Sequence, residues 1–245
     1  MLTIVLDLDG TIVFPDEAEI AIPGRSRPTF ISAETGDRLK RIGHRANLII
    51  ATARNGASVS GLCRALPEVA FGGFVLECGL VWRRRLADPF IQHHDREQLA
   101  IRLRKHLIDW EHVPNYERMI CSLAPSHIED PQTHMQVLLR EWKLEDRWQV
   151  HQERHKTFLY PQTLCKHGGL SRLGVDTIDI AAGDDIVYDR SFLEAARYPM
   201  CPQSSSEFLQ TLVRGRDGFI GNREGHAAAH ELLSRIEEVI DSDFS

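Results

Sequence analysis

Asp7 and Asp9 stand two positions apart, where the apolar run Leu2-Thr3-Ile4-Val5-Leu6 gives way to Gly10 and Thr11. Strand alternation turns both carboxylates to one side. Like charges that close resist joint ionisation unless a cation offsets them. A solvated acidic turn is the plain alternative, but a strand buried on both faces seldom ends in two aspartates. The pair suits a nucleophilic carboxylate beside a carboxylate that works as acid and base, sharing a magnesium ion.

Asp7-Leu8-Asp9-Gly10-Thr11 resembles the first motif of the haloacid-dehalogenase-like hydrolases, a superfamily dominated by magnesium-dependent phosphatases. The resemblance implies that Asp7 attacks phosphorus and that Asp9 protonates the leaving alkoxide, then takes a proton from water. Backbone amides around Leu8–Gly10 are suited to the phosphate oxygens. Three further pieces follow in order. Thr52-Ala53-Arg54 resembles the second motif, with Ala53 where glycine is usual, and implies a phosphate-binding hydroxyl at Thr52 with Arg54 beside it. Lys166, opening Lys166-His167-Gly168-Gly169-Leu170, resembles the third; its ammonium would offset the charge of Asp7 and the phosphate. Gly183-Asp184-Asp185 with Asp189 resembles the fourth. Tyr188 stands where relatives place Asn or Asp, so either Asp185 or Asp189 completes the site with Asp184. The implied metal set is Asp7, Asp9, Asp184, Asp185 and Asp189, and the implied cofactor is Mg2+.

These residues need a scaffold of strands that end where the chemistry begins. Buried strands are expected at 2–6, at 46–51 running into Thr52, near 73–76, at 177–182 running into Gly183, near Met200 and at 218–220. Helices are expected after Ser32 or Thr35 with Gly43 as terminator, at about 57–66, around Leu170 and Leu173, through Phe192 and Leu193, at 205–213 and at 225–240. Residues 12–34 show no clear period. The expected class is α/β, a Rossmann-like core with a parallel sheet and an inserted α+β cap. The core would comprise 1–79 and 163–245. In the insert, 80–162, helices at 95–110 and 131–142 alternate with strands near 119–123, 148–151 and 157–160.

At 245 residues the chain can bury a substantial core. A formal charge of −6 gives no basic footprint for nucleic acid. No apolar run reaches the roughly 20 residues needed to span a bilayer. Five cysteines, widely spaced and without a Cys-x-x-Cys, fit a reducing cytoplasm rather than a disulfide framework or zinc knuckle. His93-His94 and the other scattered histidines lack ligand spacing. Trp110, Trp142 and Trp148 read as core of the insert, and Arg83–Arg85 as a solvated turn.

An insert between the second and third motifs resembles the larger cap type found in sucrose-, trehalose- and mannosylglycerate-phosphate phosphatases. Glu77-Cys78-Gly79 stands where many of these have Glu-Asn-Gly. The expected activity is magnesium-dependent hydrolysis of a small phosphorylated metabolite, a sugar phosphate, through an aspartyl phosphate. The alternatives are a phosphomutase of the same superfamily or a non-catalytic binding homologue. No nucleic acid or membrane partner is expected, and the chain would be a monomer or homodimer. The insert is expected to form a lid over Asp7, Thr52, Lys166 and Asp184, hinged near Gly79 and 161–164, with Glu153–Lys156 touching substrate.

Overall fold

The computed structural model describes residues 1–24, 27–88, 93–153, 156–161 and 164–243. The chain forms two compact units, Met1–Asp88 with Cys165–Ser245, and Pro89–Leu164. In the first unit, β1 (Thr3–Leu6) leads to a short hairpin, β2 (Ile20–Ile22) and β3 (Thr29–Ile31). Then come α1 (Ala33–Arg45), β4 (Asn47–Ala51), α2 (Gly56–Ala65), β5 (Phe71–Leu76), a single 3-10 turn at Glu77–Gly79, and β6 (Val81–Arg83). The second unit holds α3 (His94–His106), β7 (Glu111–Val113), β8 (Ile120–Leu123), α4 (Pro131–Glu141), β9 (Trp148–Glu153) and β10 (Lys156–Pro161). The first unit then resumes with α5 (Lys166–Arg172), β11 (Ile178–Ala182), α6 (Arg190–Leu193), β12 (Ala196–Cys201), α7 (Glu207–Arg214), β13 (Phe219–Ile220) and α8 (Gly225–Asp243).

The first unit is built on a seven-stranded sheet ordered β13-β12-β11-β1-β4-β5-β6. Its strands are parallel except β6, which runs antiparallel to β5 at the edge. All four residues of β1 are buried, as a central strand covered on both faces requires. Ile4, Leu6, Leu48 and Ile50 pack with Leu39, Leu62 and Leu232 of α1, α2 and α8. Val5, Ile49 and Val75 pack on the other face with Leu170, Phe192 and Leu209 of α5, α6 and α7. The second unit is a four-stranded antiparallel sheet, β7-β8-β10-β9. Leu99 and Leu103 of α3 and Met135 and Leu139 of α4 cover one of its faces, with Trp110, Ile120, Trp148 and Leu159. Trp110 and Trp148 are core, and Trp142 packs against that core. No helix of the described residues is long and apolar enough to cross a membrane.

Several local expectations need correction. The 12–34 connection contains the β2–β3 hairpin, whose three-residue strands are too short to display a period. Gly43 does not end α1, which runs on to Arg45; a side chain at Gly43 would collide with the Ala70 carbonyl at 2.8 Å. Arg83 ends β6 rather than belonging to a solvated turn, and Arg84 Nη2 donates to the Leu173 carbonyl at 2.6 Å. β7 carries no alternation and escapes pattern reading. Arg154 and His155 of the expected charged turn, and Gln162 and Thr163 of the expected hinge, lie outside the described residues.

The turn after β5 is the most constrained backbone in the core. Glu77, Cys78 and Gly79 all have positive φ, at 49°, 55° and 96°. Asn tolerates this region better than Cys, which accounts for the frequent Glu-Asn-Gly at this place. A Cβ on Gly79 would overlap the Cys165 carbonyl oxygen. Gly79→Ala is therefore expected to cost about 3 kcal/mol, from backbone strain plus overpacking. Gly174→Ala, at φ 82° but with only the Arg84 guanidinium nearby, should cost about 1 kcal/mol. Urea unfolding of both variants checks the difference; equal losses would contradict it.

Candidate active site

The carboxyl ends of β1, β4 and β11 place the motif residues together. Leu6 pairs with Ala182 and Ile50 in register, and the Asp7 amide donates to the Ala182 carbonyl at 2.9 Å. Asp7 therefore leaves β1 directly beside Gly183-Asp184. Lys166 opens α5, capped by Cys165, whose Sγ accepts from the Gly168 amide at 3.3 Å. Its side chain is 2% exposed and its ammonium donates to Asp7 Oδ1 at 2.6 Å and Asp189 Oδ1 at 2.5 Å. The Phe192 ring lies beneath the ammonium, 5.6 Å from it.

Asp189 is fully buried and uses both oxygens. Oδ1 accepts from Lys166, and Oδ2 accepts from the amides of Asp184 and Asp185, each at 3.0 Å. Gly183 is required here, because a Cβ would meet Asp189 Oδ2 at 2.6 Å. The Asp184 carboxylate lies against Gly10, at φ 78°, where any side chain would overlap it. Among the described residues, Asp7, Asp184 and Asp189 form the group whose ligand atoms lie within 4.8 Å of one another. Asp185 stays outside it: its Oδ1 accepts from the amides of Val187 at 2.6 Å and Tyr188 at 3.3 Å, closing its own turn.

Burial lifts Asp7 well above the usual carboxylate range; Lys166 opposes that rise, while Asp189 and Asp184 add to it. Asp184 is pushed up to about 7, by burial first and then by Asp189 and Asp185. Burial works against the Lys166 ammonium, but Asp189 and Asp7 outweigh it and hold the lysine above its ordinary range. Converging hard oxygens, with Asp7 and Asp184 raised in proton affinity, fit a divalent cation of the magnesium type, which would relieve their repulsion. Asp7 and Asp184 would hold it, with Asp189 fixing Asp184 and Lys166 from behind.

Thr52 is buried, and its hydroxyl accepts from the Arg54 amide at 3.2 Å. It does not cap α2; Asn55 does, accepting from the Ser58 amide at 2.9 Å. Ala53 is half-buried beside it. Arg54 grips Asp9 in a fork, Nε to Oδ2 at 2.8 Å and Nη2 to Oδ1 at 2.5 Å, and Nη2 also donates to Thr29 Oγ1 at 3.2 Å. The Asp9 carboxylate is thus directed to Arg54 rather than into the Asp7–Asp184–Asp189 group. The Gly10 amide donates to the Val13 carbonyl at 3.1 Å, so it is engaged within its own loop. Sequence reasoning missed Thr29, because nothing marks it before the hairpin is known. It also missed the full burial of Glu77, whose amide donates to the Arg54 carbonyl at 3.1 Å while that of Cys78 donates to Thr52 at 3.1 Å.

No family model matches the sequence, and no curated protein sequence matches it. Solved structures match the fold over nearly the whole chain. A Thermotoga maritima protein superposes with TM-score 0.69 at 11% identity, covering 96% of this chain and 97% of its own. A trehalose-6-phosphate phosphatase related protein gives 0.64 at 15%, with 97% of each chain covered. The sucrose-phosphatase from Synechocystis sp. PCC6803, solved with sucrose and phosphate, gives 0.57 at 15%, with 96% and 98% covered. At such identities the likeness is one of fold: a mostly parallel α/β sheet interrupted by a separate unit with an antiparallel sheet.

The raised Asp184 makes a signed prediction. Its folded pKa of about 7 lies above the ordinary value of 3.8. In chelator its contribution to stability is therefore present below about pH 4 and lost as pH climbs through about 7. A cation that binds the ionised cluster should reverse the loss. The rise in Tm on adding magnesium is expected to grow steadily from about pH 5 to pH 8. Asp184→Ala should abolish the rise and Asp185→Ala should largely keep it, as read by thermal melts across pH.

Proposed function

We propose that the chain is a phosphoric monoester hydrolase that acts on a small phosphorylated metabolite, a sugar phosphate, through an aspartyl phosphate. The observation that carries this reading is Lys166, buried and bound to both Asp7 and Asp189 beside Asp184. A lone carboxylate in such a place would be a poor nucleophile, because burial keeps it protonated. The ammonium opposes that effect and also offsets the charge of an approaching phosphate.

The residues divide the work as follows. An Asp7 oxygen forms a bond to phosphorus as the bond from phosphorus to the leaving oxygen breaks. Asp9 gives that oxygen a proton. Water then attacks the aspartyl phosphate, Asp9 takes the proton, and inorganic phosphate leaves with Asp7 restored. Thr52 offers its hydroxyl to the phosphoryl oxygens, and Lys166 stays charged throughout. Arg54, held by Thr29, grips both Asp9 oxygens; Asp9 takes up its acid role once that fork opens and the guanidinium turns to the substrate phosphate. A magnesium ion at Asp7 and Asp184 would supply charge neutralisation and in-line orientation. The structural likeness to the sucrose- and trehalose-6-phosphate-related proteins supports a sugar phosphate as the substrate class. A net charge of −6 supports a small-molecule partner over nucleic acid.

Turnover of p-nitrophenyl phosphate with magnesium, followed by a screen of sugar phosphates for phosphate release, tests this reading. Chelator should abolish release, and Asp7→Asn should abolish it in a folded protein. Arg54→Ala should lower kcat/KM by about 10–100-fold, as loss of a charge-assisted fork predicts. Full activity of Asp7→Asn, with deamidation excluded, would end the proposal. Release of phosphate without a phosphorylated activator separates hydrolysis from a mutase.

A further inference from the structure

Arg54 Nη2 meets two acceptors at once, Asp9 Oδ1 at 2.5 Å and Thr29 Oγ1 at 3.2 Å, while Nε holds Asp9 Oδ2 at 2.8 Å. The fork takes both oxygens of the group assigned to move protons. A proton bound for the leaving oxygen therefore competes with a charge-assisted pair. Thr29 stands outside that competition, because its hydroxyl is neutral and accepts without losing its own O–H.

Thr29 and Asp9 belong to one hydrogen-bonded frame. In the loop after Asp9, the amides of Ile12 and Val13 donate to the Leu8 carbonyl at 2.9 and 2.8 Å. One residue on, Phe14 and Phe30 exchange both backbone bonds, at 3.0 and 2.8 Å. Thr29 opens β3 directly before Phe30 and is thereby fixed relative to the Asp9 loop. Arg54 arrives from elsewhere, just past the end of β4. Its amide donates to Thr52 Oγ1 and its carbonyl accepts from the Glu77 amide, so movement is left to its side chain.

The distances decide which contact yields. The Asp9 side chain is 56% exposed and that of Arg54 15%, so water can take the place of the guanidinium on Asp9 at little cost. At 3.2 Å the Thr29 contact is at the long end of its range, and it tightens as Nη2 draws away from Asp9. The hydroxyl thus favours the opened fork over the closed one. We infer, on the hydrolase reading above, that Thr29 is a positioning residue for the proton transfer, keeping Arg54 in place while its fork on Asp9 opens. The guanidinium then turns about Nη2 toward the phosphoryl oxygens. Asp9 delivers its proton to the leaving oxygen as the bond from that oxygen to phosphorus breaks, and ends as a carboxylate. Without the hydroxyl the guanidinium falls back on Asp9, and the penalty lands on esters whose leaving group needs the proton.

Two aryl esters separate this role from a structural one. p-Nitrophenolate leaves readily without a proton, whereas phenolate is a poorer leaving group and depends on the acid. Thr29→Val keeps the β-branched shape that suits β3. It should lower kcat/KM about tenfold on phenyl phosphate but less than about threefold on p-nitrophenyl phosphate. Thr29→Ser should bring both to within about twofold of the wild type. Inorganic phosphate gives a readout without turnover. The Arg54 Nε–H signal in NMR should shift saturably with phosphate, and Thr29→Val should need about tenfold more of it. Equal losses on the two esters, no loss on either, or a Thr29→Ser protein no better than Thr29→Val would overturn the inference. So would a wild-type Arg54 signal that phosphate leaves unmoved, which decides the matter even where Thr29→Val fails to fold. Absence of turnover with the phosphate shift and its dependence on Thr29 intact would end the hydrolase reading alone.

Discussion

A buried ammonium held between buried carboxylates is the constraint on which the first unit depends. Lys166 is 2% exposed and Asp189 wholly buried, so neither charge can be carried without the other. Removing one partner of such a pair costs about 3–5 kcal/mol, because the survivor is left uncompensated. The ammonium also reaches Asp7. Three segments far apart in sequence are thereby tied to one charge: the end of β1, the start of α5 and the approach to α6. Placing carboxylates there works against stability, and the raised proton affinities of Asp7 and Asp184 express that conflict. The same conflict makes the site receptive to a cation.

Backbone approach matters as much as charge. Gly10, Gly183 and Gly79 each stand where a Cβ would overlap, respectively, the Asp184 carboxylate, the Asp189 carboxylate and the Cys165 carbonyl. Gly169 repeats the pattern against Gly79, whose Cα lies 2.8 Å from where its Cβ would be. The left-handed turn Glu77-Cys78-Gly79 thus packs on the start of α5 while its amides bind the carbonyls of Thr52 and Arg54. It positions the second and third motifs together without contributing a reactive group. Backbone strain concentrated there accords with strain being stored beside functional residues.

Much of this was legible in the sequence. Buried parallel strands are continuous apolar runs, and Ile4-Val5-Leu6, Leu48-Ile49-Ile50 and Ile180-Ala181-Ala182 end in Asp7, Thr52 and Gly183, so strands and site residues announce one another. Asp7, Lys166 and Asp184 come together as the resemblance to the four motifs implied. The choice between Asp185 and Asp189 was not legible, because both positions carry the same chemistry. Asp185 closes its own turn with Val187, whereas Asp189 lies within 4.8 Å of Asp7 and Asp184. The hairpin β2–β3, and with it Thr29, was hidden because three-residue strands lack a period. Arg54 was read toward phosphate from its place after Thr52, whereas its guanidinium meets Asp9, an acceptor 45 residues earlier in the chain. β6 was masked by Arg83 and the two arginines that follow it, residues that suit an edge strand as well as a turn.

The position of the site follows from where the sheet changes direction. From β1 the chain proceeds through α1 and α2 to β4 and β5 on one side, and only after the inserted unit does it return to build β11, β12 and β13 on the other. The helices α1 and α2 cover one face, while α5, α6 and α7 cover the opposite face. Connections leaving β1 and β11 therefore diverge, and a crevice must open between them at the carboxyl ends of these strands. Asp7 and Asp184 line that crevice from its two sides, brought together by the pairing of Leu6 with Ala182. A one-residue slip in that pairing would turn Asp7 away and leave Lys166 buried against one carboxylate. The strand register is thus fixed twice, by the apolar faces of β1 and β11 and by the charge of Lys166, and the two requirements agree.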